Sequence, residues 1–94
     1  MIKVFKLING EGLISEVKKH SDGSYDLESP ASIMMQPTAQ GMGVGVAPYM
    51  PYANGNITLN GHAVAAVADA DPKMENEYRR VFGSGIQIVP ANAI

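Results

Sequence analysis

His20, Asp22 and Ser24 stand at alternate positions and supply the residue types of a general base, an orienting acid and a hydroxyl nucleophile. Their setting argues against that use. Ser21-Asp22-Gly23-Ser24 is turn chemistry, and alternate residues round a tight turn do not converge on one point. No catalytic residue is assigned, and the chain is not read as an enzyme. With no cysteine and only two histidines, His20 and His62, a metal site would need several carboxylates. Neither a metal nor a cofactor is expected. The densest basic cluster is Lys18, Lys19 and His20, suited either to a solvated strand end or to phosphate contacts. Arg79 and Arg80 read as the polar face of a helix paired with Glu75 and Glu77. Tyr25, Tyr49 and Tyr52 offer rings on which bases could stack, with packing as the ordinary alternative. Gly83-Ser84-Gly85 is not a phosphate cradle. Such a loop precedes a helix, where the positive dipole end faces the anion, and these residues follow one.

The elements that must carry these residues are mostly strands. Residues 2–8 are β-branched and aromatic, Asn9-Gly10-Glu11-Gly12 is a hairpin turn, and residues 13–19 form the returning strand. After the turn at Ser21–Ser24, a strand resumes at Tyr25, bends at Ser29-Pro30 and continues from Ala31 to Gln36. Gly41 to Ala47 alternates, with glycines and Ala47 on one face and Met42, Val44 and Val46 on the other. That pattern fits a strand that buries its methyl-bearing face under close approach on the glycine face. It fits equally a bent, weakly ordered strand. Pro48 to Gly55 is a turn region, and 56–60 and 63–68 read as short strands.

One helix is expected at about 72–82. Asp71 is its N-cap, Pro72 its first residue, and Met74, Tyr78, Val81 and Phe82 its apolar face. Gly83 stops it, and Ile86-Gln87-Ile88-Val89 reads as a final strand closed by Pro90.

The 94 residues make one domain, 1–94, with 46% hydrophobic residues. A net charge of −2 is no polyanion-binding composition, so any nucleic-acid site must be local or multiplied by oligomerisation. So small a core, without disulfides, makes oligomerisation the natural source of further burial. No run is long and apolar enough to span a bilayer, and the first residues are too charged for a signal peptide. Asn56-Ile57-Thr58 matches the glycosylation pattern and means little without such a signal. The expectation is a cytoplasmic protein with no membrane partner.

Leu7 to Val17, with Gly10, Leu13, Ser15 and Val17 in order, resembles the first motif of the Sm-like family. Gly83 to Pro90, a glycine turn leading into an apolar strand and then proline, resembles the second. The whole chain, including Gln36-Pro37-Thr38 through Pro51-Tyr52-Ala53, is similar to small Sm-like proteins of marine cyanophage origin. The resemblance implies a mainly β fold, a five-stranded, strongly bent SH3-like barrel. It implies a homo-oligomeric ring of roughly five to seven subunits joined through edge strands. It also implies single-stranded RNA or DNA as partner, contacted by the loop after the second strand and the glycine turn before the last. On that basis Lys18, Lys19 and His20 are expected to meet phosphates, Tyr25 to stack, and Ser84 and Gly85 to offer polar and backbone contacts. Phe82 stands where the family commonly carries arginine. That change, the acidic balance and the glycine-faced strand favour the alternative, an assembly module of the same fold that contacts protein.

Overall fold

Strand alternation governs the architecture seen in the computed structural model, which describes residues 1–82. The final strand expected at 86–89, together with Gly83, Ser84, Gly85 and Pro90, lies outside the described residues. The described chain forms strands β1 (Ile2–Leu7), β2 (Gly12–Lys19), β3 (Tyr25–Thr38), β4 (Gly41–Pro48), β5 (Ile57–Leu59) and β6 (Val64–Asp69). Helix α1 (Pro72–Phe82) follows. All pairings are antiparallel, in the order β4-β3-β2-β1-β6, with β5 alongside β3. The mainly β class with a helix over 72–82 is therefore as expected, but the sheet is open and has six strands rather than five among the described residues. Two of them share a neighbour, because β4 pairs with the second half of β3 and β5 with its first three residues. No described helix is long and apolar enough to cross a membrane.

Both faces of the sheet bury side chains, since neighbouring residues in β1 and β2 point opposite ways. Phe5, Leu7, Leu13, Tyr25 and Leu27 form one core, with Ile57, Leu59 and Val64 packed against it. Ile2, Ile14 and Ala31 form a second, covered by Tyr78 of α1 and flanked by Ile33, Val46, Met74 and Phe82. The helix begins as the sequence predicts: Asp71 Oδ1 accepts a 2.8 Å hydrogen bond from the Met74 N–H. Arg79 donates to Glu75 and Arg80 to Glu77 on the exposed face.

β3 changes face at the expected bend. Ile14 pairs with Ala31 and Glu16 with Glu28, so Ser29-Pro30 opposes Ser15 alone, a bulge. Ser29 has φ 52°. The bulge explains how proline is tolerated inside a continuous strand. Fully buried Ser15 places its hydroxyl 3.0 Å from Glu28 O. The Tyr78 hydroxyl donates to Glu28 O and Ser29 O, each at 2.9 Å, and accepts from the Glu16 N–H at 3.2 Å.

The glycine strand corrects an expectation. β4 is a regular strand, yet Met42 and Val44 on its methyl-bearing face are 63% and 44% exposed. The close approach on the glycine face is real and comes from β3. A Cβ on Gly43 would lie 2.9 Å from Thr38 Cγ2, and one on Gly45 3.2 Å from Gln36 Nε2.

Candidate nucleic-acid interface

The β2–β3 turn is built from its own polar side chains. The His20 N–H donates to Ser24 O, and both the Ser24 N–H and hydroxyl donate to Asp22 Oδ1, at 2.9 and 2.7 Å. These bonds, the Ser24 hydroxyl first, hold the Asp22 carboxyl below its usual range. A second turn meets this one because β5 pairs with the start of β3, Tyr25 opposite Leu59. There the chain makes a single 3-10 turn, Gly61–Ala63, capped by Asn60, whose Oδ1 accepts a 2.9 Å bond from the His62 N–H. Gly61 lies hard against the other turn: a Cβ on it would be 2.4 Å from Gly23 O. Asp22, Ser24, Thr58, Asn60 and His62 line a polar cleft of about 600 Å³ between the two turns.

The predicted basic cluster does not form one patch. In register, Lys19 opposes Tyr25 and Lys18 opposes Asp26, so the two ammonium groups leave opposite faces of the strand. Lys18 shares a shallow depression with Glu16, Asp26 and Glu28. Lys19 Nζ sits 5.9 Å from the centroid of the Tyr25 ring. His20 is exposed at the turn itself.

Tyr25 requires a correction. Its ring is 9% exposed and packs edge-on against Phe5, with centroids 5.1 Å apart, so it is a core residue and no stacking platform. Tyr49 is also packed, its hydroxyl 3.4 Å from Glu11 Oε1. Burial first, and then Glu11, push its phenol upward. Tyr52 alone of these three is open to a ring, at 79% exposure. Ser84 and Gly85 lie outside the described residues.

Sequence reasoning passes over Thr58, Asn60, Gly61 and His62. The signal is the Asn60-Gly61 dipeptide, which falls between two segments that read as strands. Among the described residues, no group of three or more His, Asp or Glu side chains is placed to hold a metal. No protein-family model matches the chain, and no curated protein matches it.

Proposed function

We propose that this protein is a subunit of an Sm-like homo-oligomeric ring that holds single-stranded nucleic acid at the cleft between the 20–24 and 60–63 turns. One observation carries the reading. Of the two strands that end the β4-β3-β2-β1-β6 path, β4 carries no charged side chain, with proline only at its last residue, and β6 carries only Asp69, at its last residue. No Asp, Glu, Lys or Arg occurs between Glu28 and Asp69, and Asp69 itself is tied to Lys3 at 2.7 Å. Proteins that stay monomeric blunt such edges with charge or proline. Two different edges on one chain make a heterologous contact, which closes into a ring when the rotation allows.

The reading is supported by the meeting of two turns: the Asn60-Gly61 turn before β6 presses on the loop after β2. The Asn60 side-chain oxygen is already used to cap its own turn. Phosphate contacts fall to Lys19 and His20 at the end of β2, while Lys18 lies on the other face among carboxylates, and the exposed Tyr52 ring stands outside the cleft lining.

The test is the solution mass with and without a short oligonucleotide, at low and high salt. A multiple of the 10.0 kDa chain that retains oligonucleotide at low salt and sheds it at high salt is expected. A monomer in every condition sinks the reading. A second reading, an assembly module that contacts protein, is favoured by Glu16, Asp26 and Glu28 around Lys18. A ring that binds no oligonucleotide even at low salt would decide for it.

A further inference from the structure

We propose that this fold selects Asn54, out of three Asn-Gly pairs, for spontaneous conversion to aspartate and isoaspartate. The pairs are Asn9-Gly10, Asn54-Gly55 and Asn60-Gly61. In each, the glycine amide nitrogen can attack the preceding side-chain amide, because glycine has no side chain to hinder the approach. Two of the pairs are tied down. Asn9 Nδ2 donates to Glu11 Oε1 and Asn9 Oδ1 accepts from the Glu11 N–H, both at 2.9 Å, while the Gly10 N–H donates to Leu7 O. Asn60 Oδ1 accepts from the His62 N–H at 2.9 Å, and Gly61 is wedged against the backbone of Gly23. Asn54 differs from both. It is exposed, in the irregular segment between β4 and β5, and its side-chain amide has no hydrogen-bond partner among the described residues. The Gly55 N–H has no acceptor among them either, and a Cβ on Gly55 would meet nothing within 4 Å. The attacking nitrogen and the attacked carbonyl are both left free to turn toward each other.

The reaction needs only water and hydroxide. Hydroxide removes the Gly55 amide proton, and the nitrogen bonds to the Asn54 side-chain carbonyl carbon. The C–NH2 bond breaks, and the leaving nitrogen takes a proton from water and departs as ammonia. A five-membered imide then joins the two residues. Water adds to one imide carbonyl and breaks one C–N bond. Opening at the side-chain carbonyl leaves the backbone ordinary, with aspartate at 54. Opening at the backbone carbonyl routes the chain through the side-chain methylene, as isoaspartate. The net change is amide and water to carboxylate and ammonium. Either product places a carboxylate in the stretch between Glu28 and Asp69, which holds no Asp, Glu, Lys or Arg, and makes the chain one unit more negative than its formal −2. Isoaspartate also lengthens the backbone just ahead of Ile57, where β5 begins its pairing with Leu27. β5 carries Thr58 into the polar cleft, so the longer backbone acts on the cleft from outside it. The reaction itself requires neither a ring nor a bound strand.

The test is peptide mapping by mass spectrometry of the full chain, folded and in denaturant, after incubation at mildly alkaline pH. In the folded chain Asn54 should convert about tenfold faster than Asn9 or Asn60, the factor that one capping bond adds when it must break before reaction. In denaturant the three should convert at similar rates. Asn54→Gln cannot close a five-membered imide and alters only an exposed side chain. It should stay folded and lose the main acidic species that ion exchange resolves from aged wild type. Asn9 or Asn60 converting in the folded chain as fast as Asn54 overturns the proposal. So does an Asn54 that stays intact in the folded chain while the unfolded chain converts, or a main acidic species that persists in Asn54→Gln. The same tenfold order in denaturant also overturns it, since the fold would then select nothing.

Discussion

The Tyr78 phenol joins three backbone segments at one atom. It reaches from α1 into the β3 bulge and serves two carbonyls and one N–H, while its ring is 5% exposed. Tyr78→Phe keeps the ring and removes the hydroxyl, leaving those backbone groups short of a partner. The expected cost is about 1–3 kcal/mol, read as a lower denaturant midpoint with an unchanged slope. The phenol is held above its ordinary value of 10.0, by burial first. A raised value means its contribution is complete below the unfolded value and is lost as pH rises through the folded one. The gap between wild type and Tyr78→Phe should therefore close at strongly alkaline pH. Asp22 is the opposite case, depressed by bonds from Ser24. Its carboxyl should titrate below the usual range by NMR, and Ser24→Ala should bring it back up. The sequence shows part of this. The Asp71 cap is legible because capping is set within three residues. Tyr25 is misleading, although its alternation with Asp26 puts it on the face of Leu27. An aromatic near a basic cluster suggests stacking, but the strand period decides its side.

Glycine positions test the elements. Gly61 joins two turns at a distance no side chain fits, and the obstacle is the backbone of Gly23. Gly61→Ala must push the turns apart, at a cost of about 1–3 kcal/mol, and should disturb amide shifts of Asp22 to Ser24 across the cleft. Gly45 is the control. Its Cβ would meet the far end of the Gln36 side chain at 3.2 Å, which can move aside, and alanine costs less backbone entropy in a strand than glycine. Gly45→Ala should change the melting temperature little. Equal effects from the two would show that the turn contact contributes nothing. The first hairpin, the bend at Ser29-Pro30 and the helix bounds are all legible in the sequence, since each is fixed by local chemistry. The cleft is not. It depends on β5 pairing with residues that lie well back in the chain, Tyr25 with Leu59 and Leu27 with Ile57, and no local pattern carries that register. The same holds for β4: alternation separates its two faces, but which one the sheet covers is decided by β3.

For the whole molecule, the proposed reading makes repetition in a ring supply what one subunit lacks. Each chain is formally −2, no lysine or arginine lines its cleft, and Lys18 lies apart among carboxylates. A single site of that kind binds a strand weakly. Sites linked in a ring see the strand at high effective concentration, which raises affinity by about 10²–10⁴ without adding any new interaction. Val67→Lys separates the two effects. Val67 lies on the β6 edge at 41% exposure, outside the lining of the cleft. An edge lysine should block strand addition and give a folded monomer. Its oligonucleotide affinity should fall by about that same 10²–10⁴ although every cleft residue is present. Lys19→Ala in the intact ring should instead weaken binding modestly and flatten the salt dependence, by about 0.7 in slope for each phosphate that is no longer neutralised. If the Val67→Lys monomer bound as tightly as wild type, the site would be complete in one chain, and the ring would need another purpose.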